Sequence, residues 1–288
     1  MRARRAEILA YICDHISEIY TEPQEQQSIA RLVASTLEGV NPTRWLIERD
    51  QVVDLPTIEA ITTELSQGRP VQYVLGCEEF YGLEFEVKEG VLIPRPETEE
   101  LVDWARQKAT AINKAKVAII DMCCGSGCIA IALDKSLPEA KITAVELSDA
   151  ALAIARRNNE RLAADVEFVR DDVLTEMTRI KGRVFDIIIS NPPYIPRSER
   201  ATMRRNVTEY EPEMALFVDD TTPLLFYEAI ADKAPRLLTE GGYLMFEVHE
   251  DYAAETAEML RKRGFESVEI RDDFRGKPRM ICCQKSLK

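Results

Sequence analysis

The chain has 288 residues, of which 45% are apolar and 30% charged, as in ordinary globular proteins. Its 37 lysines and arginines are outnumbered by 50 aspartates and glutamates, and the net charge of −13 opposes unspecific attraction to nucleic acid. No apolar run approaches the roughly 18 residues of a membrane span, and no signal-peptide core or cleavage site follows the basic N-terminus.

The cysteine pattern is that of reduced thiols. Seven cysteines, including the vicinal pairs Cys123-Cys124 and Cys282-Cys283, do not form a disulfide framework. There is no Cys-x-x-Cys and there are only two histidines, so no metal site is expected. We therefore predict a cytoplasmic protein.

The N-terminal region has a helical pattern from Arg4 to about Leu65, and Met1 to Arg5 is predicted as the first turn of an amphipathic helix. Gly39 indicates a helix end, whereas Asn41-Pro42 and Leu55-Pro56-Thr57 indicate helix starts. We predict a helical bundle of about four or five elements as the first domain, residues 1–75.

The next stretch, from Val71 to Val91, is rich in Tyr, Phe and Val with glycines between them, which predicts a β-hairpin. We assign residues 76–95 to this β-hairpin linker. Pro96 and the residues after it indicate a helix that carries Leu101, Val102 and Trp104.

From Lys116 onward, predicted strands and helices alternate, which indicates an α/β domain with a doubly wound, mostly parallel sheet. The last two strands are joined by a link too short for a crossover, so they are predicted to form an antiparallel hairpin at one edge. This seven-stranded arrangement resembles the Rossmann-like class I methyltransferase fold, and residues 96–288 are assigned to it. The predicted strands are Val117–Met122, Lys141–Glu146, Val166–Arg170, Val184–Ser190, Gly242–Val248, Glu266–Arg271 and Arg279–Gln284, and the helices lie at about 128–137, 149–163, 223–239 and 251–263.

A glycine-containing loop follows the first of these strands. Gly125 and Gly127 would let the backbone turn tightly and approach a ligand at the first strand–helix junction, where α/β proteins bind nucleotides. Asp121 is either a ligand-facing carboxylate or a strand-end cap. Cys123 and Cys124 are either packing residues or a nucleophile. The candidate cofactor residues here are Asp121, Cys123, Cys124, Gly125, Ser126 and Gly127.

Carboxylates also follow the second and third strands. Glu146 could accept from the ribose hydroxyls of an adenosine, or could be an exposed charge. Asp172 could accept from an adenine amine, with Val173 against the ring. The loop lacks a full Gly-x-Gly-x-x-Gly and any evident pyrophosphate-binding array, so S-adenosylmethionine, which becomes S-adenosylhomocysteine, is favoured over NAD.

The fourth strand is followed by Asn191-Pro192-Pro193-Tyr194, which is either a turn or a device for methylating a poorly nucleophilic nitrogen. The Asn191 side-chain oxygen and the Pro192 carbonyl could accept from the two N–H bonds of an NH2 group. Tyr194 could stack on a planar amide or base. Asn191, Pro192 and Tyr194 are the candidate catalytic residues, Pro193 joins them in binding the substrate, and Asn191 also borders the cofactor.

Together these motifs resemble the protein-(glutamine-N5) methyltransferases of peptide chain release factors, the HemK/PrmC type. The resemblance covers nearly the whole chain. It is carried by Arg69-Pro70-Val71-Gln72-Tyr73-Val74-Leu75-Gly76, Glu79-Phe80-Tyr81-Gly82-Leu83, Leu92-Ile93-Pro94-Arg95-Pro96-Glu97-Thr98-Glu99, Asn191-Pro192-Pro193-Tyr194-Ile195, and Tyr210-Glu211-Pro212 with Ala215-Leu216.

The resemblance implies cofactor contacts at Cys123 to Gly127, Glu146 and the Asp172-Val173 pair, and substrate-glutamine contacts at Asn191 to Tyr194. It also assigns recognition of the release factor to the N-terminal bundle. Two departures stand out: the family usually has Gly-Thr at the Cys123-Cys124 positions, and often an aromatic residue at Val173. A non-glycine residue at position 123 does not easily adopt a positive φ.

The implied reaction is direct transfer of a methyl group from the sulfonium to the side-chain amide nitrogen of a glutamine in the Gly-Gly-Gln loop of a release factor. Positioning of the amide by Asn191, Pro192 and Tyr194 is expected to supply much of the rate, with no strong general base. The rivals are an adenine-N6 nucleic-acid methyltransferase, which the acidic charge opposes, and a non-catalytic cofactor-binding protein. We expect a monomer with a protein substrate and neither nucleic-acid nor membrane partners.

Overall fold

The computed structural model describes residues 1–112 and 114–287. The α-helices are α1 (Arg5–Ile16), α2 (Pro23–Glu38), α3 (Pro42–Ile47), α4 (Ile58–Ser66), α5 (Val71–Leu75), α6 (Pro96–Ala111), α7 (Cys128–Ser136), α8 (Asp149–Arg161), α9 (Arg205–Thr208), α10 (Glu213–Leu216), α11 (Leu225–Leu237) and α12 (Ala253–Lys262). The strands are β1 (Arg2–Arg4), β2 (Val52–Asp54), β3 (Cys77–Phe80), β4 (Leu83–Glu86), β5 (Ala118–Met122), β6 (Lys141–Glu146), β7 (Val166–Arg170), β8 (Phe185–Ser190), β9 (Ile195–Pro196), β10 (Phe217–Val218), β11 (Leu238–Glu247), β12 (Phe265–Asp272) and β13 (Pro278–Lys285). Short 3-10 helices lie at Thr178–Ile180, Arg197–Thr202 and Glu250–Tyr252.

The chain divides into two compact units. The first comprises residues 1–77 together with 204–210, and the second comprises 78–203 and 211–287. Sequence reasoning assigned contiguous domains and did not anticipate that 204–210 joins the first unit. Within that unit Arg204 pairs with Glu25 at 2.5 Å, and the Tyr210 hydroxyl donates to the Gln67 carbonyl at 3.1 Å. These contacts hold the distant segment against the bundle.

The first unit is a helical bundle with its own apolar core. Ile8, Ile12 and Ile16 recur every four residues along α1 and are fully buried, as the helical period requires. Gly39 ends α2 with a left-handed φ of 69°, which a residue with a side chain rarely adopts. The Asn41 side chain accepts from the Thr43 N–H and caps α3. The predicted bundle and its start and stop signals are confirmed.

Two local predictions in this part of the chain are wrong. Arg2–Arg4 is not the first turn of a helix but a strand that pairs antiparallel with Val52–Asp54, and the helix begins at Arg5. Val71–Leu75 is a short helix rather than the start of the hairpin, because Gly76 with φ 78° ends it before the strands begin.

The predicted hairpin itself is present as β3 and β4. Tyr81 and Gly82, the two residues between the strands, have φ of 54° and 72°. Positive φ at both central positions is the geometry whose twist matches that of the flanking strands. Phe80 and Phe85 on either side of this turn are buried, with ring centroids 6.0 Å apart.

Within the described residues of the second unit, the main sheet has seven strands in the order β12-β13-β11-β8-β5-β6-β7. The strands from β11 to β7 run parallel, and β13 runs antiparallel to both β11 and β12. The predicted doubly wound α/β fold, with an antiparallel hairpin at one edge, is therefore confirmed. The fifth strand starts at Leu238 rather than at Gly242, because Leu238 already pairs with Phe185 before a bulge.

Two apolar layers enclose the main sheet. In β8, Ile187 and Ile189 belong to one buried cluster and Ile188 to the other, as the alternation of a strand requires. The first cluster contains apolar residues of α6 and α7, and the second contains apolar residues of α11 and α12. All three isoleucines are fully buried, so neither face of the central strand meets solvent.

This topology determines where a ligand can bind. β5 lies between β6 and β8, so the helices that follow β5 and β8 leave the sheet in different directions and open a crevice at the carboxyl ends of these strands. Over residues 1–112 and 114–287 the structure contains no helix with the length and hydropathy needed to span a bilayer.

Candidate active site

A cavity of about 270 Å³ opens at this carboxyl edge. Its wall is formed by the loops that follow β5, β6, β7 and β8, by the segment from Gly90 to Thr98, and by Pro212 to Phe217. Most of the predicted site residues meet there even though they are scattered along the chain. They are Cys123, Cys124, Gly125, Ser126, Glu146, Asp172, Val173, Asn191 and Pro193.

Four predicted residues do not line this cavity. Pro192 is buried, and Tyr194 lines a smaller adjacent cavity of about 40 Å³. Gly127 caps α7 with φ 80°, and a Cβ at this position would lie 3.2 Å from Ala155. The role of Gly127 in this structure is thus close packing between helices.

Asp121 is the fourth. It is fully buried in β5, and within the described residues neither of its carboxylate oxygens has a well-formed hydrogen bond. Burial raises the pKa of Asp121 well above its ordinary value, and the nearby Glu146 carboxylate acts in the same direction. The backbone N–H of Ala130, in the first turn of α7, opposes this shift, so the carboxylate faces the start of that helix rather than the cavity.

The loop after β5 is defined by its backbone conformation. Cys123, Gly125 and Gly127 have φ of 65°, 54° and 80°, so the non-glycine Cys123 occupies the left-handed region that its side chain disfavours. The Gly127 N–H donates to the Cys124 carbonyl at 2.8 Å and closes the turn. No atom lies within 4 Å of a Cβ built on Gly125, so the backbone faces open space at the cavity wall.

The thiols of this loop are poor candidates for a nucleophile. Burial raises the pKa of Cys123 and of Cys124 well above the ordinary value, and the neighbouring carboxylates Asp121 and Glu146 add to both shifts. A thiol with a raised pKa is protonated at neutral pH, whereas the reactive form is the thiolate. These residues therefore act as small packing groups beside the cavity.

Glu146 connects the loop after β5 to the loop after β6 through hydrogen bonds. Its Oε2 accepts from the Gly125 N–H at 3.0 Å, and its Oε1 accepts from the N–H groups of Leu147 and Ser148 at 2.8 and 2.9 Å. These three bonds occupy most of the roughly four acceptor positions of a carboxylate, and Oε2 keeps one for a ligand hydroxyl. The exposed-charge interpretation of Glu146 is not supported.

The loop after β7 supplies a further carboxylate and an apolar surface. Asp172 Oδ1 accepts from the Leu174 N–H at 2.8 Å, which fixes the turn after the strand. Val173 is 5% exposed and packs in the core cluster that contains α11, while part of it forms the cavity wall. A flat apolar group could rest against Val173 with its polar edge toward Asp172.

The loop after β8 is held by side chains from distant elements. Asn191 Nδ2 donates to Thr98 Oγ1 at 3.3 Å, and Thr98 Oγ1 donates to Glu247 Oε2 at 2.5 Å. The Tyr194 hydroxyl donates to the other oxygen, Glu247 Oε1, at 3.0 Å. Thr98 and Glu247 are both 2% exposed, so this hydrogen-bonded group is shielded from solvent.

Protonation states in this group follow from burial. Burial raises the pKa of the Tyr194 hydroxyl, and the adjacent Glu247 carboxylate acts in the same direction, so Tyr194 remains a donor. Burial also raises the pKa of Glu247, although the hydrogen bonds from Thr98 and Tyr194 favour its ionised form. Sequence reasoning did not identify Glu247 or Thr98 as site residues. Glu247 ends β11 at the same sheet edge as Glu146 ends β6, and that shared position is the signal that was available.

A partly buried ion pair connects two segments of the cavity wall. Glu211, which is 4% exposed, accepts from the Ile93 N–H at 3.0 Å and from Arg95 Nη2 at 2.5 Å. These bonds connect the segment before α6 to the segment before α10, which contributes Pro212 and Met214 to the cavity. Neither Arg95 nor Glu211 was predicted as a site residue, although both lie within motifs that carry the family resemblance.

The only group of three metal-type ligands within the described residues is Glu199, His249 and Asp251, outside the cavity wall. His249 Nε2 is 3.2 Å from Glu199, and its Nδ1 accepts from the Asp251 N–H at 3.2 Å. Both ring nitrogens thus have protein partners, and an acidic group of this kind is not by itself a metal site.

The chemistry of the cavity suits an adenosine-type sulfonium compound. Glu146 and Asp172 can accept from hydroxyl and amine groups, Val173 and Phe226 provide apolar surface, and Gly125 leaves open space beside the wall. Asn191 adds a neutral amide to the same wall. The residues therefore fit S-adenosylmethionine.

Known proteins share part of this sequence and its fold. Residues 107–209 match the Methyltransferase small domain family. The fold is similar to that of a crystal structure of a methyltransferase from Pyrococcus furiosus, with a TM-score of 0.52 and 19% identity over 72% of this chain and 91% of that one. At this identity the likeness concerns the fold alone.

Sequence relatives give a more specific result. The release factor glutamine methyltransferase of Bacteroides thetaiotaomicron is 40% identical over 96% of this chain and 99% of its own length. The protein of the same name from Chlorobaculum tepidum is 38% identical over 90% of both chains. Both matches cover at least 90% of this chain. This chain therefore belongs to the release factor glutamine methyltransferase family.

Proposed function

We propose that this protein transfers a methyl group from S-adenosylmethionine to the side-chain amide nitrogen of the glutamine in the Gly-Gly-Gln loop of a peptide chain release factor. The observation that carries the proposal is that Asn191 and Pro193 line the same cavity as Glu146 and Asp172. Membership of the family supports the choice of a protein glutamine over an adenine.

Within this proposal, Glu146, Asp172 and Val173 hold the cofactor, which supplies an electrophilic methyl group. Gly125 and its neighbours form the adjoining wall, and the loop is kept in place by the bond from the Gly125 N–H to Glu146. S-adenosylhomocysteine is the corresponding product.

The chain's own contribution to the reaction is positioning. An amide nitrogen is a weak nucleophile because its lone pair is delocalised, so its orientation toward the electrophile decides the rate. Asn191 Oδ1 and the Pro192 carbonyl accept from the two N–H bonds of the glutamine, and Tyr194 packs against the amide plane. No general base is assigned, because the methylated nitrogen is acidic and can release its proton to water.

The acidic charge of the chain supports a protein substrate, since a net charge of −13 repels nucleic-acid phosphates. We further propose a cytoplasmic monomer, with recognition of the release factor by the N-terminal bundle. Nothing in the bundle's residues identifies that partner by chemistry, so this assignment rests on the family alone.

The test is an assay with radiolabelled S-adenosylmethionine that offers a purified release factor, DNA and RNA side by side. We expect label only in the release factor, and a mass increase of about 14 Da on the Gly-Gly-Gln peptide, as expected for one methyl group replacing a hydrogen. Label in DNA or RNA would support the adenine alternative. Cofactor binding without transfer to any substrate would instead support the non-catalytic alternative.

A further inference from the structure

The side chain of Asn191 makes a hydrogen bond that restricts its orientation. Its Nδ2 lies 3.3 Å from Thr98 Oγ1, on a threonine that is 2% exposed in α6. A carboxamide has two ends of nearly equal size, so packing alone does not distinguish its oxygen from its nitrogen. The hydrogen-bonding capacity of Thr98 therefore decides which end faces the cavity.

Glu247 determines that capacity. Thr98 Oγ1 is 2.5 Å from Glu247 Oε2, and an ionised carboxylate only accepts hydrogen bonds. The single hydroxyl hydrogen of Thr98 is thus used toward Glu247, and only its lone pairs remain for Asn191. A lone pair attracts the NH2 end of the amide and repels the oxygen, so the oxygen end is left for a ligand.

The same carboxylate also orients Tyr194, the aromatic residue of the loop. Glu247 Oε1 accepts from the Tyr194 hydroxyl at 3.0 Å, and the Tyr194 ring meets the His249 ring edge-to-face with centroids 6.0 Å apart. Each oxygen of Glu247 is thus matched to one hydroxyl. Because the carboxylate is 2% exposed, water does not compete for these bonds.

We propose that Thr98 and Glu247 are positioning residues that hold the Asn191 amide with its oxygen directed at the substrate. This inference rests on the proposed function only in taking that oxygen as the acceptor for the substrate NH2 group. Neither residue touches the reacting atoms; both act through Asn191, and Glu247 acts through Tyr194 as well. We call the hydrogen bonds that run from Glu247 through Thr98 to Asn191 the relay. Without the relay, the amide rotates and presents an NH2 group that repels the substrate nitrogen's hydrogens.

The test compares Thr98→Val, which keeps the shape and removes the hydroxyl, with Thr98→Ser, which keeps the hydroxyl. We expect kcat to fall about 10- to 100-fold in Thr98→Val, as for a misoriented catalytic group, whereas Thr98→Ser retains at least about one third of it. KM for the release factor and Kd for S-adenosylmethionine should change by less than about threefold.

The matched control is Thr256→Val. Thr256 in α12 is also fully buried, and its hydroxyl has no hydrogen-bond partner within the described residues. We expect this variant to keep the wild-type kcat. A kcat loss below about tenfold in Thr98→Val, an equal loss in Thr98→Ser, or a proportional loss of cofactor affinity would each overturn the proposal.

A substrate-independent measurement separates this inference from the proposed function. In protein labelled with ¹⁵N-asparagine, the Asn191 side-chain amide signal, assigned by its loss in Asn191→Ala, should exchange its hydrogens faster in Thr98→Val than in wild type. Unchanged exchange would contradict the relay. If wild type shows the protected amide yet methylates no release factor, the relay stands and the proposed function fails.

Discussion

The loops that follow β5 and β8 line one cavity, but different forces hold them in place. The conformation of the first loop depends on positive φ at Cys123, Gly125 and Gly127 and on the hydrogen bond from the Gly125 N–H to Glu146. The second loop carries stiff prolines, but the orientation of Asn191 depends on Thr98, which lies 93 residues away in sequence. The first loop is therefore fixed mainly by its backbone conformation, and the second by side-chain contacts between distant segments.

We therefore expect the first loop to determine cofactor binding and the second loop to determine catalysis. A backbone loop tied to a carboxylate presents a fixed surface, which suits a cofactor that is always the same molecule. A side-chain network can direct a single acceptor at one atom, which suits a reaction that depends on orientation. Substitutions in the first loop should therefore change cofactor affinity, and those in the second should change turnover.

The largest effect is expected for Asn191→Ala. Removing the acceptor should lower kcat by at least about 10³-fold, as for loss of a group that acts mainly in the transition state. Cofactor affinity should stay within about threefold of wild type, because Glu146 and Asp172 are unchanged. Isothermal titration and a release factor methylation assay measure the two quantities. Near-normal methylation by this variant would contradict the division between the loops.

The next effect is expected for Glu146→Ala, which removes the acceptor for three backbone N–H groups. The Kd for S-adenosylmethionine should rise about 100-fold, because a ligand contact is lost and both loops are loosened. Glu139→Ala serves as the matched control, since Glu139 is exposed on the turn after α7. A change in kcat at saturating cofactor, with Kd unaffected, would contradict the expected role.

The pH dependence of kcat tests the second loop without changing its shape. Burial raises the pKa of Glu247, with Tyr194 and Thr98 donating to it, Arg279 on β13 favouring its ionised form and Glu97 on α6 opposing it. Because the hydrogen bonds to Asn191 need the ionised carboxylate, kcat should fall as the pH decreases through this raised pKa and then level off at the value of the protonated form.

The control for this profile is Glu247→Gln, which has no titrating group at the same position. Its kcat should be lower at neutral pH and should lack the acid limb. If wild type and Glu247→Gln lose activity over the same acidic range, another group is responsible for the limb and the role of Glu247 in turnover is wrong.

The smallest effect is expected for Cys123→Gly. A glycine adopts the φ of 65° without the steric cost that a Cβ imposes, so the free energy of unfolding should rise by about 1 kcal/mol. Cys123→Ala keeps the Cβ and should give no such gain. Urea denaturation measures both variants. An equal change in the two would show that the thiol, rather than the backbone, determines stability here.

Much of the fold could be predicted because it depends on local periodicity. The alternating strands and helices, the antiparallel edge hairpin and the bundle were predicted from apolar spacing and from start and stop residues. The errors at Arg2–Arg4 and Val71–Leu75 have a common cause: both segments are short, and tertiary pairing or a single glycine outweighs their composition.

Part of the site could be predicted because it lies at the ends of strands that were themselves predictable. The rule that carboxyl ends of parallel strands meet at one edge brought Glu146, Asp172 and Asn191 together, and the structure places all three on one wall. The rule also holds for Glu247 at the end of β11, where it was not applied. It does not extend to Arg95 and Glu211, whose pairing across 116 residues follows no strand order.

The sequence alone determines that this chain builds a doubly wound sheet, a glycine-containing loop after the first strand and a stiff Asn-Pro-Pro-Tyr loop after the fourth. Those features are encoded in residue spacing and in the backbone preferences of glycine and proline. Only the tertiary structure decides that Asp121 is fully buried outside the cavity wall and that Thr98 and Glu247 orient Asn191. Thr98 and Glu247 are 149 residues apart, and a hydrogen bond between such residues leaves no periodic trace in the sequence.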